Sequence, residues 1–258
     1  MEEKFEEEKI HKSAVNLVQE QIKKHSLGKL VFLVFVGTRP WGIARKNVDY
    51  DYRGIYMSKE ENTYQVYVNN YIKDITLISL ERFVNDILSS DIHSFIFINS
   101  PIIYASKDFL EFRKWINSSL SKQVYSRCQF KKTHRDRKDY LYDFFFPGNV
   151  ISILEKKKVI ANLPKLNKKC LRIPAINKII EEGKNDLPFD RKDEKVCKKI
   201  LLKLKMRLEK AYKKSKLPEE IGEKKLAKLK IIKKINYKYW DHKEFIKKHQ
   251  KEREKYKI

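Results

Sequence analysis

The chain has 258 residues and a formal net charge of +24, and 12% of its residues are aromatic. This length and aromatic content allow one large or two modest folded domains and exclude a wholly disordered chain. Its 3 cysteines are widely spaced, which excludes a Cys-x-x-Cys zinc site and a disulfide framework and favours a reducing compartment.

The first half of the sequence alternates between helical and strand patterns. An unbroken apolar run at 30–36 indicates a buried central strand, and period-two alternation at 49–57 indicates a second one. In chain order we predict a helix at 3–25, strands at 30–36, 49–57, 65–70 and 72–79, and a helix at 80–90 with Ser79 as its N-cap. Residues 94–106 are apolar and are interrupted by Pro101.

The second half is mainly helical in pattern. Helices are predicted within 107–129, within 169–189 with an end at Gly183, and along 193–220 with an end near Pro218. The last forty residues are very rich in lysine and read as polar helices. These patterns predict an α+β N-terminal part followed by an α-helical C-terminal part, with boundaries at 1–106, 107–218 and 219–258.

The positive charge is concentrated near the C-terminus. Residues 191–258 contain 26 Lys and Arg against 10 Asp and Glu, which supplies +16 of the net charge of +24. Two interpretations stay open: a solvated, lysine-rich helical surface, or a surface that binds nucleic acid or another polyanion.

No segment of the sequence predicts a membrane partner. The chain opens with acidic residues rather than a leader pattern, and the apolar stretch at 25–37 is too short and too internal for a membrane span. We therefore expect a soluble, cytoplasmic protein. The sequence leaves its oligomeric state open.

Two aspartates separated by one residue lie on the predicted strand 49–57. Asp49 and Asp51 would point to one face, with Cα atoms about 6–7 Å apart. Carboxylate oxygens are the ligands that Mg²⁺ prefers, and a two-metal site usually takes a third carboxylate from a neighbouring strand. Asp74, an isolated charge in an apolar strand, is the best candidate. A pair of this kind alone is also common on a solvated strand edge.

A glycine and a hydroxyl residue follow the first predicted strand. Gly37 would let backbone N–H groups approach a phosphate closely, and the Thr38 hydroxyl would add a donor. Taken alone, this dipeptide is often only a turn. Its spacing from the two aspartates is what makes it informative.

The segment GTRPWGIARKNVDYDYRGIY (37–56) resembles the signature of the DNA polymerase β-like nucleotidyltransferase superfamily: glycine and hydroxyl, about ten residues, then Asp-x-Asp. The Arg after the turn, the WG pair and DYDYRGIY resemble the branch of predicted nucleotidyltransferases associated with RNA repair. KDITLISLERFVNDIL (73–88) resembles the next block of that branch, and 170–189 and 208–220 are similar to its C-terminal helical blocks.

The resemblance implies a fold, an activity and a set of roles. The fold would be a mixed sheet flanked by helices at 1–106, a helical substrate- and nucleotide-binding region at 107–218, and a lysine-rich tail. The three catalytic carboxylates, Asp49, Asp51 and Asp74, would hold Mg²⁺, or Mn²⁺ in its place. Gly37 and Thr38 would hold the β- and γ-phosphates of an NTP such as ATP.

The implied reaction moves an NMP from an NTP to an acceptor hydroxyl, most naturally on RNA, with release of pyrophosphate. Transfer to a protein or a small molecule, and a non-catalytic nucleic-acid-binding role, remain alternatives. The complete set of carboxylates argues against the last of these, because a decayed site would be expected to lose at least one.

Several other positions have roles that the sequence leaves open. Arg39 and Arg53 would contact phosphates or pair with the carboxylates. Trp41 could stack on a base or fill the core. The basic run 131–140, with Tyr140 and Tyr142 in or after it, could grip a phosphate backbone or stack a base, or it could be a solvated loop or a helix start. The family usually has Ser at the position of Thr38, and His where this chain has Cys170.

Overall fold

The computed structural model describes residues 2–44, 48–57, 63–67 and 72–221. Its sheet and the helices around it occupy the N-terminal part. These elements are α1 (Glu2–Lys24), β1 (Lys29–Val36), β2 (Tyr50–Met57), β3 (Thr63–Tyr67), β4 (Ile72–Ser79), α2 (Leu80–Leu88), α3 (Ile92–Ile98) and β5 (Ile102–Ala105).

The C-terminal part is helical, as predicted. Its helices are α4 (Lys107–Ser118), α5 (Arg137–Lys156), α6 (Leu163–Leu166), α7 (Pro174–Lys184) and α8 (Arg191–Lys214). The predicted α+β class with a helical C-terminal region is therefore confirmed. The domain boundaries stay predictions: β5 ends at Ala105, yet one apolar core joins strands of the sheet to helices as late as α8.

The five strands form one mixed sheet in the order β3-β4-β2-β1-β5. Strands β2 and β4 are parallel, and the other neighbours are antiparallel. Because β1 runs against β2, the end of β1 and the beginnings of β2 and β4 lie at one edge of the sheet. That edge carries the Gly-Thr turn and the aspartates.

The two faces of the sheet pack against different layers. Tyr52 and Tyr56 of β2 lie in the cluster under α1, whereas Ile55 lies in the large core shared with α2, α3 and α5. The predicted alternation along β2 is therefore present. It means that the odd-numbered residues Asp51 and Arg53 face the helical region.

Helix α5 was not predicted, and it is the centre of the helical region. The sequence allows a solvated loop or a helix start at 131–140, and in the structure α5 begins at Arg137, runs through Pro147 and is buried along most of its length. A helix that is buried on all sides has no polar face, so its sequence lacks the helical period that reveals an amphipathic helix.

Other boundaries differ from the predictions. Helix α4 ends at Ser118 rather than continuing to 129, because the hydroxyls of Ser118 and Ser119 donate to the carbonyl of Trp115 and a 3₁₀ turn follows at Lys122–Val124. The apolar stretch 94–106 divides into α3 and β5.

The C-terminal boundaries also shift slightly. Helix α7 ends at Lys184, one residue past the predicted stop, and α8 ends at Lys214, four residues before Pro218. The predicted tail lies outside the described residues from 222 onward. No helix among the described residues is long and apolar enough to cross a membrane.

Candidate active site

The turn after β1 brings the backbone against a carboxylate. Val36, the last residue of β1, pairs with Asp51 on β2. Gly37 has φ +87°, and a Cβ atom at this position would collide with Oδ2 of Asp51. Glycine is therefore required here twice, by the left-handed conformation and by the closeness of the carboxylate.

Asp51 and Asp74 are direct neighbours across the parallel pair β2–β4. Adjacent strands lie about 4.8 Å apart, so the two carboxylates start side by side. Both point away from the α1 core, because Tyr52 and Ile75 next to them are buried in it. The sheet thus brings two of the three predicted carboxylates together on its helical face.

Asp49 lies one residue before β2, which begins at Tyr50 rather than at Asp49 as predicted. A register shift separates Tyr50 from Asp51, so the strand geometry expected for the Asp-x-Asp pair does not extend to Asp49. Among the described residues, no group of three or more His, Cys, Asp or Glu side chains forms a metal-binding cluster. The three-carboxylate metal site stays a prediction.

The chemistry of the carboxylate pair nevertheless fits a hard divalent cation. Asp51 and Asp74 supply oxygen donors, which Mg²⁺ and Mn²⁺ prefer over nitrogen or sulfur. Because Gly37 has no side chain, it does not cover Oδ2 of Asp51, which a Cβ atom at position 37 would contact.

The turn itself is held by bonds to the helical region. The N–H of Ile43 donates to the Thr38 carbonyl at 3.0 Å, which closes the turn. The N–H of Leu163 donates to the Trp41 carbonyl at 2.8 Å, and Nδ2 of Asn162 donates to the Pro40 carbonyl at 3.1 Å. The position of Thr38 therefore depends on α6 as well as on β1.

The two predicted phosphate-binding arginines lie in different surroundings. Nε of Arg39 donates to the Val48 carbonyl at 2.6 Å, and its guanidinium lies 4.4 Å from the ring centroid of Tyr50. Tyr50 packs with the α1 side of the sheet, so Arg39 braces the loop away from the carboxylate pair. Arg53 is exposed and shares the face of Asp51.

Arg53 also has an electrostatic neighbour on α3. Burial lowers the pKa of His93, and the positive charge of Arg53 lowers it further. The imidazole of His93 lies against Phe146 of α5, with ring centroids 4.2 Å apart. The charge of Arg53, on the strand that carries Asp51, therefore acts on a histidine packed against the helical region.

Helix α5 places a tyrosine near the carboxylates. Burial, and next the negative charge of Asp51, raise the pKa of Tyr142 to about 12. The ammonium groups of Lys131 and Lys138 each lie 5.6 Å from its ring centroid. Trp41 meets the same ring edge-on at 6.1 Å and also packs on Phe145 and Phe146, which supports the core-filling interpretation of this Trp.

Two buried carboxylates hold most of the basic run 131–137. Asp143 accepts from the N–H of Lys131 at 2.9 Å and contacts Nε2 of His134 at 2.8 Å. Asp139 bonds the ammonium of Lys131 and the N–H of Arg135, and these bonds lower its pKa to about 2. The run is thus a folded loop with internal partners.

A cavity of about 230 Å³ lies between the Gly-Thr turn and the start of α5. Arg137 in its wall is fixed, because its guanidinium donates to the carbonyls of Leu187 and Pro188, both at 2.9 Å. Lys138 is the exposed cation of this wall, and the exposed carboxylate of Asp136 lines the same cavity. Next to the turn the cavity therefore presents one exposed cation and one exposed carboxylate.

The sequence profile of the RNA repair pathway DNA polymerase beta family matches residues 10–231. The chain belongs to this family. It is also similar to a nucleotidyltransferase-like protein from Exiguobacterium sibiricum 255-15, with 14% identity over 78% of this chain and 75% of that one and a TM-score of 0.32. A comparison with curated proteins gives no match.

Membership of the RNA repair pathway DNA polymerase beta family confirms the predicted resemblance and makes the chain a nucleotidyltransferase. The mixed sheet with its Gly-Thr turn and carboxylate edge is the core expected for that family. Tyr142 and Lys138 are further candidates beside the predicted site residues. The only signal for them in the sequence is the basic run 131–140 and the tyrosines that follow it.

Cys170, the departure from the family's usual His, lies away from this cavity in the helical core. It is buried in a π-helical turn, and Arg207 donates to its carbonyl at 3.1 Å and to that of Leu171 at 3.0 Å. Arg172 beside it is exposed. In this chain Cys170 is a packing residue that helps to anchor α8.

Proposed function

We propose that this nucleotidyltransferase moves an NMP from an NTP to a hydroxyl of RNA and releases pyrophosphate. The observation that carries the proposal is the register of Asp51 with Asp74 at the edge where Gly37 ends the first strand. It puts a pair of carboxylates next to the backbone turn, and the cavity of about 230 Å³ lined by Thr38 supports a phosphate-binding role for that turn.

The carboxylates are assigned to metal binding. Asp51 and Asp74, with Asp49 approaching from the loop before β2, would hold Mg²⁺ or Mn²⁺. When bound, such an ion offsets negative charge on the phosphates and lowers the pKa of an attacking hydroxyl. Gly37 and Thr38 would donate to the β- and γ-phosphates through the turn.

The remaining roles follow from position. Asp74 is the carboxylate proposed to accept the proton of the attacking hydroxyl. Lys138 on the cavity wall, with Thr38 opposite, would stabilise the charge that builds up on the departing pyrophosphate. Arg53 is proposed to contact the acceptor or the triphosphate on the open face of β2.

RNA is favoured as the acceptor for two reasons. The net charge of +24 favours a polyanionic partner. The family to which the chain belongs is described by its place in RNA repair.

The experiment is label transfer from each α-³²P-labelled NTP to a pool of short RNAs in the presence of Mg²⁺ or Mn²⁺. We expect label on RNA with at least one NTP. Asp51→Asn should reduce transfer at least roughly a thousandfold, which corresponds to about 4 kcal/mol. Glu20→Gln, an exposed carboxylate-to-amide change on α1, is the matched control and should retain full activity.

Each alternative has its own outcome. Label on a protein or a small molecule, but never on RNA, would replace the acceptor in the proposal. Undiminished transfer by Asp51→Asn would overturn the assignment of the carboxylates. A salt-independent KM for RNA would count against backbone contacts.

A further inference from the structure

A second cavity, of about 420 Å³, lies at the far end of the helical region. It sits where the C-terminal ends of α5 and α8 come together. Leu154 and Ala211 are its apolar residues. Four positively charged side chains also line it, those of Lys157, Lys210, Lys214 and Lys216. We call this cavity the lysine cavity.

No described carboxylate pairs with the lysines of the lysine cavity. Its one acidic residue, Glu155, is bound to Arg207 through two hydrogen bonds of 2.9 and 2.7 Å. None of the four lysines forms an ion pair with any described residue, and all four are exposed. The carbonyl ends of α5 and α8 offset part of this charge, but four exposed cations around one cavity still favour a polyanionic ligand.

One of these lysines has an unfavourable backbone conformation. Lys157 ends α5 with φ +54°, in the left-handed region. Glycine is the usual residue at such a helix end because it has no Cβ to strain. A Lys157→Gly variant would therefore remove one cation of the cavity without adding backbone strain.

The lysine cavity and the candidate active site are joined by two parallel helices. Arg137 at the start of α5 lies close enough to Cys197, near the start of α8, for its charge to oppose the rise in the pKa of that thiol that burial causes. At the other end, the Ser215 hydroxyl just after α8 donates to the Leu154 carbonyl at 2.9 Å. The sixteen helical steps from Lys138 to Leu154 span roughly 24 Å at 1.5 Å per residue.

We propose that the lysine cavity binds backbone phosphates of the RNA acceptor at a distance from its reacting end. A spacing of about 3.4 Å per nucleotide places that contact about seven nucleotides away. The inference rests on the proposed function in taking RNA as the acceptor. It adds a minimum length: short RNAs react without the cavity, and longer ones also bind to it.

The test compares RNA acceptors of 4 and 12 nucleotides, with the full chain and its Lys210→Gln/Lys214→Gln/Lys216→Gln variant. Fluorescence anisotropy measures binding, and label transfer measures kcat and KM. For the 12-mer we expect binding at least tenfold weaker, a higher KM with unchanged kcat, and a salt slope lower by about 2. For the 4-mer we expect changes below twofold.

The control variant also removes lysines at the C-terminal end of a helix, but from a helix on the other face of the sheet. Lys23 and Lys24 lie in the last turn of α1, also at a helix C-terminus but on the opposite side of the sheet. Lys23→Gln/Lys24→Gln should leave the binding of both RNAs unchanged. Lys157→Gly is a second cavity variant: it relieves a left-handed lysine, so we expect unchanged or higher thermal stability together with weaker 12-mer binding.

Equal losses for the 4-mer and the 12-mer, or no loss for either, would overturn the proposal. So would a cavity variant that loses binding to phosphatidylserine vesicles but keeps the 12-mer. Transfer to the 4-mer reports on the proposed function by itself. An enzyme active on the 4-mer and indifferent to the lysine variants would refute the cavity and leave the function standing.

Discussion

The two faces of the sheet use adjacent residues of the same strand for opposite purposes. Toward α1, Tyr52 is buried, and its hydroxyl lies 2.7 Å from Nδ1 of His11. Toward the helical region, Asp51 next to it is partly exposed and in register with Asp74. The period-two geometry of a strand thus separates packing from chemistry by a single residue.

The difference has a physical cause. A buried polar group must find a hydrogen-bond partner, and the α1 face meets that need with one closed pair inside an aromatic cluster. Two carboxylates on neighbouring strands repel each other, and a cation or hydrogen-bond donors near them offset that repulsion. Substitutions on the two faces should therefore change different measured quantities.

After Asp51→Asn, the largest effect is expected from Gly37→Ala on the open face. Its Cβ would collide with the Asp51 carboxylate, and φ +87° is strained for alanine. We expect nucleotidyl transfer to fall roughly a hundredfold or more, and the free energy of unfolding to fall by about 1–2 kcal/mol. Steady-state kinetics and urea unfolding measure the two changes.

Gly28→Ala is the matched control for that substitution. Gly28 also has a positive φ, +92°, but it is exposed in the turn after α1. It should show the same backbone strain with activity within twofold of the wild type. Equal activity of the two variants would mean that the space at Gly37 has no part in the reaction.

The sequence predicted the two faces of the sheet better than the region that covers them. Strands β1, β2 and β4 carry their burial pattern in their own residues, so periodicity reveals them. Helix α5 does not, because it is buried along most of its length and contains Pro147, which usually ends a helix. The packing of α5 depends on the helices around it, which are distant in sequence.

The candidate site divides in the same way. The Asp51–Asp74 pair follows from two strand patterns, and the Gly37 turn follows from the end of a third. Tyr142 and Lys138 reach the site only because the first turns of α5 lie next to the Gly-Thr turn, which no local pattern predicts. Asp49 was expected on the strand, and the register shift after Tyr50 leaves it outside.

A smaller effect is expected on the closed face, from Tyr52→Phe. This change removes the hydroxyl paired with His11 and keeps the buried ring. We expect the free energy of unfolding to fall by about 1 kcal/mol, with nucleotidyl transfer within twofold of the wild type. A loss of transfer comparable to that of Gly37→Ala would show that the two faces are not independent.

The smallest effect should be a pH dependence of stability that comes from His11. Burial lowers its pKa from 6.5, so near that pH the unfolded chain binds more protons than the folded one. Stability due to this group is therefore present above pH 6.5 and is lost as the pH falls through 6.5 toward the lower folded pKa. The ring is partly exposed, and solvent screening keeps the effect small.

His11→Gln should flatten, but not abolish, the decline in the urea midpoint between pH 7.5 and 5.5. His93, whose pKa is also lowered by burial, contributes a decline of the same sign and remains in the variant. If His11→Gln and the wild type declined in parallel, the closed face would carry no titrating group, and its stability would come from apolar packing alone.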